Sequence, residues 1–137
     1  MADLSITAAN VAAVSGASID RSKNAGASVT AGQLVYLEAA TSTWKLADCN
    51  SATVEARTPT GVALHAAASG QPLAVLTAGP ITIGATLTAG VAYYCSGTAG
   101  GIAPVADVTT GWYVTIVGIA TSTTVLDVKF HASGVAL

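Results

Sequence analysis

The sequence contains an internal repeat, and the two copies are roughly 60 residues apart, a spacing longer than one supersecondary unit. Three segments return in the same order: Thr30–Leu37 as Thr88–Cys95, Leu46–Asp48 as Val105–Asp107, and Gly61–Leu64 as Gly118–Thr121. The spacing is also too long for one turn of a solenoid, so it predicts two similar half-domains. A repeated β unit with little charge is typical of a structural protein rather than of an enzyme.

The chain has 137 residues, which is the size of one domain with its own core. Its hydrophobic content is 52 % and its mean hydropathy is +0.62. Most of this content is Ala and Val among Thr, Ser and Gly, and no apolar run approaches the ~18 residues of a membrane span. Asp3 near the start, without an early Lys or Arg, argues against a secretory signal. We therefore expect a soluble protein that is made in a cytoplasm and has no membrane partner.

Charged residues make up only 9 % of the chain, against about 25 % in an ordinary soluble domain. Such a surface has few solvating groups, which favours burial of part of it in an oligomer or a larger assembly. The five basic residues are Arg21, Lys23, Lys45, Arg57 and Lys129, and they form no basic stripe. Direct binding of nucleic acid is therefore not expected.

The pattern after Val29 is that of β structure. Apolar and polar residues alternate in Ile81–Thr88 and in Leu126–His131, as in half-buried strands. Trp112–Val117 is rich in aromatic and β-branched residues, which favour a strand. The runs Leu34–Leu37 and Leu73–Leu76 predict shorter, more fully buried strands. Predicted turns between these runs include Ala31-Gly32, Ser69–Pro72, Gly79-Pro80, Gly97, Gly100-Gly101, Gly111 and Ser133-Gly134. We predict an all-β fold, a compact Gly/Thr/Ala-rich barrel or sandwich built from two similar halves.

Residues 1–28 lie outside the repeat and are predicted to form an extended N-terminal arm. The arm has an Ala-rich part too short for a stable isolated helix, followed by a polar stretch. We expect a short strand in it, ordered by contact with a neighbouring molecule. The remaining residues, 29–137, are predicted to be a single β domain, with its two copies at about residues 30–79 and 88–134.

The sequence contains no recognisable catalytic or metal-binding motif. Cys49 and Cys95 have no ligand spacing and are expected to be reduced, buried thiols, since a disulfide requires that they meet in space. His65 and His131 are far apart in the sequence and are not part of a zinc or nucleophile motif. The aromatic residues fall mostly in strand runs and are expected in the core or at an interface. We expect no enzyme, no cofactor and no metal.

The chain resembles small virion proteins of tailed bacteriophages. The similar segments are Ala31–Leu37, Trp44–Asp48, Thr60–Leu64, Ser69–Val75, Ala99–Pro104, Gly111–Tyr113 and His131–Val135, and more loosely Ile6–Val11 in the arm. Proteins of this type are described as capsid decoration (cement) or head-fibre proteins. Those of the lambda type have a Gly-rich β domain with an N-terminal arm and commonly sit as trimers on the capsid.

The resemblance implies a structural protein that binds the outer surface of a phage capsid as a homo-oligomer and cements the shell. Its partners would be the major capsid protein and further copies of itself, with a trimer expected. It would be made in the host cytoplasm and reside on the virion. The arm would lie against the shell by strand addition. The residues expected to contact the capsid are Leu4, Ile6, Asn10, Val11, Val14, Ile19, Arg21 and Lys23.

The alternative function is a receptor- or carbohydrate-binding module of a tail fibre or head fibre. Such a module would bind through exposed aromatic residues and loops, so a solvent-exposed Trp44 or Trp112 beside a groove would favour it. An enzyme would require His65 or His131 beside an acid and a nucleophile.

Overall fold

Ten antiparallel strands form one strongly curled sheet with the shape of a half-barrel. The computed structural model describes residues 3–137. The strands are β1 Ala12–Ala13, β2 Ser18–Asn24, β3 Leu34–Glu38, β4 Thr43–Leu46, β5 Gly61–Ala63, β6 Pro72–Thr82, β7 Ala92–Cys95, β8 Ile102–Pro104, β9 Tyr113–Ala120 and β10 Val125–Ala136. Three short 3-10 turns, Ala8–Asn10, Glu55–Arg57 and Val105–Asp107, complete the structure, and residues 3–137 contain no α-helix. The predicted all-β class is confirmed.

The order of the strands in the sheet reproduces the sequence repeat. The path is β4-β3-β5-β6-β10-β9-β7-β8, so β3 to β6 and β7 to β10 have the same internal arrangement. The two sets meet where β6 pairs with β10, with Ile81 opposite Leu126. The halves are therefore parts of one continuous sheet, and they are not two stacked sheets of a sandwich.

The repeated Thr-Ala-Gly sequence forms the same turn twice. In residues 30–33 and again in residues 88–91, the backbone N–H of the last residue donates to the carbonyl oxygen of the first, with N···O distances of 3.3 and 3.2 Å. Gly32 and Gly90 have φ angles of 88° and 84°. Glycine adopts this backbone conformation without steric cost, which explains why both copies have it at the third position of the turn.

Each of these turns is attached to the strand that follows later in its own half. Gly32 N–H donates to the Ala63 carbonyl oxygen at 2.8 Å, and Gly90 N–H donates to that of Ala120 at 2.7 Å. Ala63 and Ala120 end the repeated Gly-x-Ala segments, in β5 and β9. The repeat therefore specifies a hydrogen-bonding arrangement in addition to local strands.

The first half of the sheet has a buried cluster on each face. Leu34, Val62 and Leu76 belong to the main core, which also takes in residues of the second half. The next residue in β3, Val35, belongs to a second cluster around Trp44, as does Val75 in β6. Successive side chains of a strand point to opposite faces, so the two clusters lie on the two sides of the sheet.

The N-terminal arm crosses the sheet from one end strand to the other. The N–H of Leu4 donates to the Ile102 carbonyl oxygen of β8 at 2.8 Å, and β1 and β2 pair with the long strand β6. The N–H of Gly26 then donates to the Trp44 carbonyl oxygen of β4 at 2.7 Å. The arm thereby covers backbone groups at both end strands, where an unpaired edge would invite association with other chains.

Three details of the predicted strands are wrong. Gly79-Pro80 was expected to be a turn but lies inside β6, where the Pro80 carbonyl oxygen accepts the N–H of Val14 at 3.0 Å. Ser133-Gly134 lies inside β10, at a register irregularity between Ala132 and Ala136. The predicted strand Ile81–Thr88 stops at Thr82, although Ile83 and Leu87 are buried on the expected face.

Gly79 marks the point where the arm passes over β6, and we predict that a side chain there destabilises the fold. Its φ is 101°, and a Cβ atom would lie 2.8 Å from the Ala17 Cα. Gly79→Ala should lower the free energy of unfolding by about 2–4 kcal/mol, measured by chemical denaturation. Gly70→Ala is the matched control, because φ is 87° there and no atom lies within 4 Å of the added Cβ. The control should lose only about 1–2 kcal/mol, and equal losses would contradict the close approach.

Candidate interaction surfaces

The two histidines have different surroundings. The His65 Nε2 atom accepts the N–H of Ala74 at 3.0 Å, and its Nδ1 atom lies 2.9 Å from the Ala66 carbonyl oxygen. The His65 ring is therefore bonded to the backbone of the loop after β5 at Ala66 and to that of β6 at Ala74. His131 is exposed on β10.

Within residues 3–137, no group of three or more His, Cys, Asp and Glu side chains is placed to hold a metal ion. That same part of the chain contains no helix with the length and apolar character needed to cross a membrane.

Three of the seven aromatic side chains are buried and the other four are half-buried. Trp44, Tyr36 and Tyr93 are the buried ones, and the Tyr93 hydroxyl oxygen accepts the N–H of Thr88 at 2.9 Å. Trp44 is only 3 % exposed and cannot serve as a stacking platform for a ligand. Trp112 is half-buried and packs against the main core. Of the two tryptophans, only Trp112 has a surface open to solvent.

Trp112 borders a shallow groove whose other polar walls are carboxylates and hydroxyls. The polar residues that line it are Asp3, Ser5, Thr98, Asp107 and Thr109. The Asp3 carboxylate accepts a hydrogen bond of 2.8 Å from the buried Ser96 hydroxyl, which anchors the start of the arm beside this groove. An indole ring next to hydroxyl and carboxylate groups is a chemistry that suits a sugar.

The eight arm residues that were expected to contact a capsid separate into two groups. Leu4, Ile6 and Val11 pack against the main core of their own chain. Asn10 and Arg21 are exposed, while Val14, Ile19 and Lys23 are half-buried. Leu4, Ile6 and Val11 hold the arm on the sheet. The exposed residues of the arm, Asn10 and Arg21, are the ones available to another molecule. Contact with a capsid stays a prediction for all eight.

The arm strand β2 carries a strongly acidic carboxyl group. Asp20 accepts hydrogen bonds from the Ser22 hydroxyl at 2.6 Å, from the Ser22 N–H at 2.8 Å and from the Lys23 ammonium at 3.0 Å. These contacts, those with Ser22 first, lower the pKa of Asp20 from 3.8 to about 2. The exposed Arg21 is therefore flanked in the sequence by a carboxylate that stays ionised down to low pH.

A second surface, which the sequence analysis did not single out, is formed at the C-terminus. β10 pairs with β6 only as far as Val128, but it pairs with β9 up to Ala136. The N–H of Leu137 donates to the Trp112 carbonyl oxygen at 2.8 Å, which secures the end of the chain. Beyond Val128, β10 and β9 form a two-stranded extension of the sheet. We call residues 129–137 in it the C-terminal ribbon. All of its residues from 131 onward are exposed.

The C-terminal ribbon carries apolar side chains in solvent. Val135 and Leu137 are 65 % and 58 % exposed, and the nearby Val54 is 70 % exposed. Val54 and Gly134 line the same small pocket, together with Arg57, whose guanidinium group stacks on the Tyr113 ring at 4.0 Å. We call the pocket residues Val54, Arg57 and Tyr113, together with the exposed Val135 and Leu137 of the adjoining ribbon, the C-terminal patch. Exposed apolar side chains, an aromatic ring and an arginine are residue types typical of an interface core.

Comparisons with known protein families, with curated proteins and with solved structures give no match for this chain.

The hydrogen bonds to Asp20 predict how the arm responds to acid. Because its folded-state pKa lies below 3.8, its contribution to stability is present above pH 3.8 and is lost as the pH falls through about 2. Ser22→Ala should raise the pKa of Asp20 towards 3.8, as measured by a carboxyl NMR titration. Ser18→Ala, in the same strand, is the control and should leave it unchanged. An unaltered Asp20 titration in Ser22→Ala would disprove the role of the hydroxyl.

Proposed function

We propose that this chain is a structural virion protein, which binds the outer surface of a phage capsid as a homo-oligomer and stabilises the shell. The observation that carries the proposal is the C-terminal patch, an exposed apolar surface on a chain with 9 % charged residues. Scattered exposed apolar residues are ordinary, but a cluster at one end of a sheet marks a contact surface.

The few charged residues produce little electrostatic repulsion between this molecule and others. Lys45 pairs with Glu38 at 2.9 Å and Lys23 pairs with Asp20 at 3.0 Å, so two of the five basic residues are neutralised within the chain. The formal net charge is only −2. Association with further copies and with a shell therefore meets little electrostatic repulsion.

We assign the two surfaces to two partners. The C-terminal patch is the contact between copies, and a trimer is the expected oligomer. The exposed face of the arm, with Asn10 and Arg21, is the contact with the major capsid protein. The backbone of the arm is already hydrogen-bonded to its own sheet at Leu4, Val14 and Gly26. The arm thus presents side chains to the shell, in place of the strand addition that the sequence suggested.

In this role the protein acts mechanically. A copy bound across neighbouring shell subunits adds buried surface that must be lost before the subunits separate, and oligomerisation multiplies the effect through avidity. A curled sheet whose ends are covered by its own arm suits this role, because it resists opening and presents no free end strand there. The protein would be made in the host cytoplasm and act on the capsid surface.

The oligomer is tested by placing a charge in the C-terminal patch. Val135→Asp should shift the protein towards monomer in analytical ultracentrifugation, with at least a tenfold weaker association, because the carboxylate would be buried without a partner. Ile119→Asp is the matched control, since Ile119 is 52 % exposed and lies outside the patch. The patch is not the contact between copies if both variants associate as the wild type does, or if the wild type is a monomer.

The capsid function is tested on phage particles. Cryo-electron microscopy of particles that carry the protein should show its density on the head surface, and density only at the tail would contradict the proposal.

The contact through the arm is tested on heads that lack the protein. The Arg21→Glu variant should occupy at least tenfold fewer binding sites on these heads than the wild type at equal concentration. Lys129→Glu reverses another exposed cation outside the arm and should bind as the wild type does. If the Arg21→Glu variant binds the heads at full occupancy, the exposed face of the arm is not the capsid contact.

The second candidate function is a receptor- or carbohydrate-binding module of a tail fibre or head fibre. The observation that favours it is the half-buried Trp112 beside the groove lined by Asp3, Ser5 and Thr109. The burial of Trp44 removes the other aromatic platform that this function could have used. Density at the tail of the particle, with the Trp112 groove facing outward, would support this candidate over capsid binding.

A further inference from the structure

The only two cysteines of the chain come from different halves of the sheet and meet in its main core. Cys49 follows β4, and Cys95 ends β7. The thiols are 0 % and 2 % exposed and belong to the same buried cluster. The N–H of Cys49 donates to the carbonyl oxygen of Ser96, the residue after Cys95, at 3.1 Å. The Cys95 Sγ atom lies 3.8 Å from the same Ser96 carbonyl oxygen, so the Cys49 backbone and the Cys95 thiol share one acceptor.

The fold thus brings the two cysteines into one buried cluster, which the sequence alone cannot establish. The backbone hydrogen bond between Cys49 and Ser96 keeps the two segments side by side. Because both side chains belong to the same cluster beside this bond, a disulfide between them requires only a local rearrangement of the core. Both cysteines are reduced in the structure.

We propose that Cys49 and Cys95 are an oxidation site, at which an internal disulfide forms when the protein meets a small-molecule disulfide outside a reducing compartment. The bond would join the two halves of the sheet covalently. This inference does not depend on the proposed function, since it concerns the isolated chain.

The reaction is thiol–disulfide exchange in two steps. The Cys49 thiolate attacks a small disulfide, forms a mixed disulfide and releases one small thiolate. The Cys95 thiolate then attacks the Cys49 sulfur, forms the internal bond and releases the second small thiolate. The protein loses two electrons and two protons, and the small disulfide takes both to become two thiols.

The first step requires that the core open locally. Hydrogen bonding with Cys49, followed by burial, raises the pKa of the Cys95 thiol, which keeps it protonated and unreactive in the closed state. The backbone at Cys49 is bonded to three other parts of the chain: the N–H of Tyr113 donates to the Cys49 carbonyl oxygen at 2.8 Å, the N–H of Asp48 donates to the Ala56 carbonyl oxygen at 2.8 Å, and the N–H of Cys49 donates to that of Ser96 at 3.1 Å. The loop that follows, at residues 52–55, is exposed. Release of this segment would uncover Cys49 first.

The test uses the purified wild-type protein and oxidised glutathione as the small disulfide. After incubation in a denaturant concentration below the unfolding midpoint, the intact mass should fall by two hydrogens and both thiols should resist alkylation in full denaturant. Peptide mapping should then identify the Cys49–Cys95 bond. The oxidised protein should melt about 10 °C higher than the reduced one, and a dithiol reductant should reverse the shift.

Two single variants identify the steps. Cys95→Ala should stop at a stable glutathione adduct on Cys49, because the second thiol is missing. Cys49→Ala should react much more slowly at Cys95, which stays in the core. The proposal fails if the wild type keeps two free thiols under conditions in which Cys95→Ala acquires its adduct. It also fails if the wild type forms only glutathione adducts or disulfides between chains.

Discussion

The pairing of β6 with β10 is the contact on which the architecture depends. Each of these strands is the last of its half, and each is the longest strand of that half. Their antiparallel pairing, with Ile81 opposite Leu126, joins two four-stranded units into one sheet. Ile81 and Leu126 are both fully buried, so the junction is also part of the main core. Without this contact the two halves would each have to cover a hydrophobic face alone.

The arm is the element that completes the sheet without belonging to the repeat. Two similar halves leave β4 and β8 at the ends of the sheet. The arm reaches one of them with Leu4 and the other with Gly26, and in between it pairs with β6. Its passage over Gly79 explains why the longest strand of the first half has a glycine there, since an added Cβ would lie 2.8 Å from the Ala17 Cα. The same element that reaches the sheet ends also carries exposed side chains, among them Asn10 and Arg21.

Much of the fold could be predicted because its signals are local. The alternation in Leu126–His131 predicted the inward side chains of β10 correctly, and the repeated Gly-containing turns were where they were expected. Gly79-Pro80 was misjudged because local rules treat this dipeptide as a turn. In the structure Pro80 donates no hydrogen bond because it has no N–H, but its carbonyl oxygen still accepts the N–H of Val14 of the arm. The C-terminal patch was missed because Val54 and Gly134 are far apart in the sequence and meet only where the ribbon forms a common pocket with Val54.

By itself, the sequence determined the class of the fold, its two similar halves and the low charge of its surface, because these follow from periodicity, repetition and composition. Only the tertiary structure decided that the halves form one curled sheet, that the arm is bound to its own chain, and that Cys49 and Cys95 belong to one buried cluster. The physical reason is that these features depend on backbone hydrogen bonds and packing between residues distant in the chain. No local pattern of side chains specifies which distant edge or thiol will be the partner.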